Sequence, residues 1–184
     1  MLASTKILLY LGCFLITLIW TVFDPRDYKE RIRNFLSARG LIFLIVEAAV
    51  LIFSFYDQFS WSINRVIDNT SQQLGLTLFL AGLIIAIWAR LTMKQSWGVP
   101  ETHNIKRQNE LITTGPFKFS RNPIYLGLIL IFLGFTLAIN SYLVILLPLV
   151  IWYFYKASKK EENNLEKHFG KDYLRYKTKV PKFI

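Results

Sequence analysis

The side chains whose types and spacing could do chemistry fall in two places. One is the stretch Leu111-Ile-Thr-Thr-Gly-Pro-Phe-Lys-Phe-Ser-Arg-Asn-Pro-Ile-Tyr125, where polar, cationic and turn-forming residues lie between long apolar segments. The other is the acidic pair Glu161 and Glu162. Gly115-Pro116 and Asn122-Pro123 are turn signals. Pro123 suits the first turn of a helix and not its interior, because it lacks an N–H and its ring clashes with the preceding turn. Asn122 therefore reads as an N-cap, and a helix runs from Pro123 into the apolar run 124–139. A helix N-terminus presents free N–H groups and positive partial charge, and Arg121 stands beside it. These residues predict a site for an anionic group where the chain enters an apolar layer.

The elements that must hold this site are membrane helices. The chain has 184 residues, of which 53% are hydrophobic, and a mean hydropathy of +0.35. That is too apolar for an ordinary soluble domain of this size and enough for a compact helical bundle. The single cysteine, Cys13, excludes an internal disulfide and a cysteine-based zinc site. The apolar runs are 7–23, 41–56, 74–91, 124–139 and 142–155. Each of the last two is about 15 residues, or roughly 22 Å as helix, short for a hydrocarbon core of about 30 Å. They form a tight hairpin with Asn140-Ser141 at its tip, and Pro148 is expected to kink the second arm. That arm continues as helix through 156–169, with Gly170 as its C-cap. Leu165, Phe169, Tyr173 and Tyr176 follow at near-helical spacing, an apolar stripe that folds back. Gly75 and Gly82 lie seven apart, as do Gly127 and Gly134, a spacing that lets membrane helices approach closely.

The fold expected is therefore all-α: a single polytopic membrane domain, 1–184, with about five transmembrane helices. Residues 1–91 hold three spans; residues 92–184 hold a loop, the hairpin and a cytoplasmic tail. Basic residues set the orientation. The first loop carries five, the second only Arg65, the connection 92–123 five, the hairpin tip none and the tail nine. This places the N-terminus outside and the C-terminus in the cytoplasm. It also puts Leu111–Tyr125 and Glu161-Glu162 on one cytoplasmic face. The net charge of +10 is explained by this retention, without nucleic acid as partner. Because the two polar places sit at the same end of one hairpin, they must be neighbours. A carboxylate pair facing an arginine and helix N–H groups can hold a zwitterion; S-adenosylmethionine, with its ammonium and carboxylate, is such a ligand.

Taken together, Leu-Ile-Thr-Thr-Gly-Pro-Phe, Arg-Asn-Pro-Ile-Tyr, a helical hairpin and Glu-Glu-x-x-Leu-x-x-x-Phe-Gly-x-x-Tyr-x-x-Tyr resemble the isoprenylcysteine carboxyl methyltransferase family. The related membrane phospholipid methyltransferases share much of this pattern, and the resemblance covers roughly residues 94–184. It implies methyl transfer from S-adenosylmethionine, with S-adenosylhomocysteine as product, to a lipophilic acceptor at the cytoplasmic face of the bilayer. It implies a cofactor pocket of Asn109, Glu110, Leu111, Ile112, Phe117, Asn122, Pro123, Ile124, Tyr125 and Glu161. Leu111, Ile112 and Phe117 are its apolar walls, Tyr125 and the Asn122 turn hold the amino-acid end, and Arg121 with Glu162 are the candidate catalytic residues. Three positions depart from the family pattern. Asn109 and Asn122 stand where histidines are usual, and Ala157 stands where a substrate arginine is usual. Asn122 keeps hydrogen bonding but removes a titratable base.

Other chemistry is weaker in this sequence. None of the nine glycines forms a Gly-x-Gly motif, which excludes a Rossmann-type methyltransferase. No cluster has metal-ligand spacing, and His103 and His168 read as surface residues. Glu47, ionisable inside an apolar run, is either functional or a contact between helices. A sterol-reductase-type oxidoreductase shares the helical layout but needs a nicotinamide cofactor, for which no 2′-phosphate pocket is evident. A non-catalytic protein retaining the scaffold is the third reading.

Overall fold

The structure, a computed structural model, describes residues 3–22, 29, 69–93, 110–139 and 141–183. The described residues are helical, without strands. Among the described residues, five α-helices have both ends in view: α1 (Ala3–Val22), α2 (Asn69–Met93), α3 (Pro123–Ala138), α4 (Leu147–Phe169) and α5 (Lys171–Lys179). Two 3-10 turns, Gly115–Lys118 and Tyr142–Leu146, precede α3 and α4. The expected run 41–56 with Glu47, the basic loop 24–40 apart from Lys29, and His103 and Asn109 lie outside the described residues.

α2 and α3 form the centre, and their small residues explain how. A Cβ on Gly82 would lie 2.7 Å from the Gly127 carbonyl, and one on Gly127 would lie 2.9 Å from the Gly82 carbonyl. One heptad away, a Cβ on Gly134 would lie 2.6 Å from the Gly75 carbonyl and collide with the Phe79 nitrogen. The two backbones therefore touch at two levels, and any side chain there would force them apart. In lipid, where apolar side chains gain little by leaving their surroundings, this close contact is what holds helices together. Leu9 from α1, Phe79 and Leu83 from α2, and Phe135 and Ala138 from α3 make the core on one flank. A second cluster, Ala89, Met93, Phe117 and Ile124, seats the Gly115–Lys118 turn against the end of α2. Gly115 has φ +59°, and a Cβ there would lie 2.8 Å from Thr92 Oγ1, so that turn requires glycine on both counts.

Among the described residues, two helical segments are long and apolar enough to cross a membrane, Thr70–Met93 and Tyr142–Phe169. Ile7–Trp20 and Pro123–Ala138 are shorter apolar helices. Ile7, Leu11 and Phe14 on α1, Ile84 and Trp88 on α2, and Leu149, Ile151 and Trp152 on α4 are exposed. So much exposed apolar side chain suits a lipid surrounding and would be a liability in water.

At the hairpin tip the structure differs from expectation. Pro148 does not kink α4. The helix starts at Leu147, so Pro148 lies in its first turn, where a missing N–H leaves no bond unmade. Ser141 caps the 3-10 turn Tyr142–Leu146 that leads into it, accepting a hydrogen bond from the Leu143 N–H. The other arm end is as the sequence predicts: α4 runs unbroken from the apolar segment through 156–169 and stops at Gly170, φ +52°. On the polar extension, Ala157, Ser158 and Glu162 are buried, and on α5 the buried residues are Tyr173 and Tyr176. Tyr173, Tyr176 and Val180 pack with Leu111, Leu165 and Phe169. The apolar stripe does fold back, and what it covers is the strip that begins at Leu111.

Candidate active site

The start of α3 is where the hairpin closes. Pro123 supplies its first turn, and Asn122 holds the cap position. The Asn122 side chain does not cap. Its Nδ2 donates instead to Glu162 Oε1 at 2.9 Å and to the Lys182 carbonyl at 3.1 Å. Arg121 Nε donates to the same Glu162 oxygen at 3.2 Å. Arg121 Nη1 donates to the carbonyls of Lys177 at 2.8 Å and Val180 at 3.2 Å. The chain after α5 is strapped to this turn through its backbone as well: the Arg121 N–H donates to the Pro181 carbonyl at 2.9 Å and Ser120 Oγ to the Lys182 carbonyl at 3.1 Å.

Glu162 is the electrostatic centre. Its side chain is 7% exposed, and that of Arg121 is 10% exposed. Lys182 Nζ lies 3.4 Å from its other oxygen, and the same ammonium sits over the Tyr155 ring at 4.5 Å and donates to Ser158 Oγ at 3.4 Å. One buried carboxylate thus has two cations and an amide around it. Burial of a charge is tolerated only with such compensation. The position of Arg121 makes the same point from the other side. A cation beside a helix N-terminus is repelled by the dipole, and Glu162 supplies the anion that offsets this.

Glu161, the other member of the pair, is half-buried. It accepts a hydrogen bond from the Tyr125 hydroxyl at 2.8 Å, and the Tyr125 ring packs on Phe154 with centroids 5.4 Å apart. Adjacent residues on a helix point about 100° apart. Glu162 therefore faces Arg121 and the tail while Glu161 faces Tyr125, in the first turn of α3. Leu111 belongs to the tyrosine cluster, whereas Ile112 and Phe117 belong to the cluster on α2. The Phe117 carbonyl accepts the Tyr176 hydroxyl at 2.7 Å, which locks α5 over this strip. Pro123 and Ile124 are buried, and Glu110 is exposed. Burial pushes the phenols of Tyr173 and Tyr176 well above their ordinary pKa. The Glu162 carboxylate adds to this at both, while Arg121 opposes it.

Arg121, Asn122, Tyr125, Glu161 and Glu162 are thus brought together by hydrogen bonds, and Leu111, Ile112 and Phe117 line the strip beside them. Sequence reasoning missed the tail. Lys182 and the carbonyls of Lys177, Val180 and Pro181 carry no motif, because backbone acceptors have no sequence signature. Tyr173 and Tyr176 were visible as positions of an apolar stripe and of the family motif, but neither reading gave their hydroxyls a role, and that of Tyr176 holds the Phe117 carbonyl.

A profile of the phospholipid methyltransferase family matches residues 70–172, just over half of the chain. The chain is similar to protein-S-isoprenylcysteine O-methyltransferase B of Arabidopsis thaliana, 31% identical over 113 residues, 58% of this chain and 55% of the relative. It is also similar to protein-S-isoprenylcysteine O-methyltransferase of Saccharomyces cerevisiae, 30% identical over 162 residues, 80% of this chain and 62% of the relative. The Xenopus laevis protein of that name is 29% identical over 110 residues, 59% of this chain and 38% of the relative. The matches thus span between about two fifths and three fifths of the relatives' lengths. No solved structure matches the chain.

Proposed function

Because the chain belongs to the phospholipid methyltransferase family, we propose that it transfers a methyl group from S-adenosylmethionine to a lipophilic acceptor at the cytoplasmic face of a membrane. The observation that carries this reading is the closure of the hairpin, where Arg121, Asn122 and Tyr125 at the start of α3 bond to Glu161 and Glu162 on α4. The names of the relatives favour an isoprenylcysteine carboxylate as acceptor.

The donor set fits the cofactor. Glu161 is a half-buried carboxylate already oriented by Tyr125, and a carboxylate has lone pairs for more than one donor. It would take the ligand's ammonium. Leu111, Ile112 and Phe117 would flank the adenine, with Glu110 at the outer end of the strip; the family resemblance adds Asn109 to the same pocket. Asn122, Pro123, Ile124 and Tyr125 would line the amino-acid end. When bound, S-adenosylmethionine supplies an electrophilic methyl on its sulfonium and leaves as the neutral thioether S-adenosylhomocysteine. The protein's own part is alignment and the exclusion of water. Glu162 and the tail carbonyls fix the Arg121 fork, leaving Nη2 without a hydrogen bond among the described residues. That nitrogen would hold an oxygen of the acceptor, with the acceptor's apolar part remaining in lipid.

The site reading requires the polar end of the hairpin to be cytoplasmic, in a five-span protein. The basic-residue alternation supports that orientation. Reporters fused after Phe23 and after Ile184 should both read as cytoplasmic; both on the outer side would overturn the topology and the site with it.

The cofactor assignment is tested by ligand binding. S-adenosylhomocysteine should raise the melting temperature of the purified protein, and NADPH should not. Glu161→Gln should weaken S-adenosylhomocysteine by at least about 1.5 kcal/mol, the lower range for a hydrogen bond to a charged group, or more than about tenfold. Unchanged affinity in a folded Glu161→Gln protein would leave Glu161 as surface charge.

A further inference from the structure

Tyr173 and Tyr176 lie one turn apart on α5, and both are buried, but they are bonded differently. The Tyr176 hydroxyl donates to the Phe117 carbonyl at 2.7 Å. Tyr173 is fully buried, and its hydroxyl has no hydrogen-bond partner among the described residues. A buried donor left without a partner costs about 1–3 kcal/mol, and native proteins rarely keep one without a use. Phenylalanine would fill the same space among Leu111, Leu165 and Phe169 without that cost.

We propose that Tyr173 is a ligand-binding residue whose hydroxyl donates a hydrogen bond to the carboxylate of the amino-acid end of the S-adenosyl ligand. This rests on the methyltransferase reading above. The ligand's ammonium and carboxylate sit on one carbon, so their protein partners must lie side by side. If Glu161 takes the ammonium, a neutral donor close to it is what the carboxylate needs. Tyr173 lies within the fields of Glu162, Arg121 and Glu161. The donors and acceptors around it are already paired with one another: Glu162 Oε1 takes Arg121 and Asn122, and Glu161 Oε2 takes Tyr125. Burial keeps the phenol protonated through the physiological range, so it can donate there. Tyr173 also packs in the cluster that contains Leu111, the first of the apolar walls, which links the two ends of the ligand.

The hydroxyl is covered in the structure, and Gly170 provides the joint that would uncover it. That glycine has φ +52°, connects α4 to α5 and has no atom within 4 Å of where a Cβ would stand. Uncovering Tyr173 by movement of α5 about Gly170 would have to release the Tyr176–Phe117 bond, the contact that holds α5 down.

The test compares Tyr173→Phe and Tyr176→Phe with the wild-type protein, by melting temperature and by calorimetric affinity. Two ligands are used: S-adenosylhomocysteine, and 5′-methylthioadenosine, which lacks the amino-acid end. Tyr173→Phe should keep or slightly raise the melting temperature, since no internal bond is lost. It should weaken S-adenosylhomocysteine about tenfold and leave 5′-methylthioadenosine unchanged. Tyr176→Phe should lower the melting temperature, because the Phe117 carbonyl loses its donor. Equal losses for both ligands in Tyr173→Phe, unchanged affinity for both, or a lowered melting temperature would each overturn the proposal. A wild-type protein that binds neither ligand would instead refute the methyltransferase reading, a separate outcome.

Discussion

Glu162→Ala is expected to lower the unfolding free energy by about 3–5 kcal/mol, the range for removing one member of a buried ion pair. The size follows from what the side chain leaves behind. Glu162 and Arg121 are both nearly enclosed, and Asn122 Nδ2 shares the same oxygen. Without the carboxylate, the Arg121 guanidinium stays beside the N-terminus of α3 with its dipole unopposed. Lys182, which is 19% exposed, can turn to solvent and so contributes less to the loss. Glu162→Gln should fall between wild type and Ala, since it keeps an acceptor oxygen but not the charge. Reversible unfolding in mixed detergent micelles measures all three proteins. A loss below about 1 kcal/mol for Ala would mean that the cluster is a solvated face, as exposed ion pairs generally are. Glu161→Gln is the internal comparison: it leaves the Glu162–Arg121 pair in place, so its main effect should be on ligand affinity.

The contrast between these two neighbours shows which parts of the site could be read in advance. That Pro123 starts a helix and Gly170 ends one is local chemistry, so both positions were legible from residue type and spacing. That Arg121 meets the acidic pair followed from counting along two arms of a hairpin of equal length. Which glutamate faces which partner did not follow, because it depends on the rotation of α4 about its axis. Asn122 marks another boundary. Its preference for a cap position is local and held, yet its side chain makes no cap bond: its Nδ2 donates to Glu162 and the Lys182 carbonyl, and the charged acceptor makes the stronger of such bonds. Pro148 failed as a kink for a related reason. Its rule fixes what cannot precede it in a helix, and a helix that begins one residue earlier satisfies the rule without bending. The strap after α5 is irregular backbone pairing with a turn far away in sequence, and no periodicity encodes it. The small-residue pairs, by contrast, act through spacing alone, and Gly75, Gly82, Gly127 and Gly134 meet where that spacing places them.

Arg121→Lys is the second large effect expected, on turnover in preference to cofactor affinity. A guanidinium presents donors in a planar fork, and three of its bonds here use that geometry: Nε to Glu162, and Nη1 to the carbonyls of Lys177 and Val180. A lysine ammonium can replace one of these directions and not all of them. It keeps the charge opposite Glu162, so the loss of stability should stay well below that of Glu162→Ala. What it gives up is the placement of Nη2, the nitrogen assigned to the acceptor, together with the anchoring of the chain after α5. A displacement of about 1 Å in a positioning group can cost roughly 100-fold in rate, and a loss of that order in methyl transfer is expected. S-adenosylhomocysteine affinity should change little, because the ligand's ammonium and carboxylate are assigned to Glu161 and Tyr173, outside the Arg121 fork. The rate and the affinity are measured on the same folded protein, which separates binding from turnover. Wild-type turnover in Arg121→Lys would make Arg121 a structural cation whose bonds to Glu162 and the tail are its whole role. A fall in affinity that accounts for the fall in rate would move Arg121 into the cofactor pocket. Lowered turnover with intact affinity would support the proposed role, with Arg121 held by Glu162 and the tail carbonyls and its remaining nitrogen holding the acceptor.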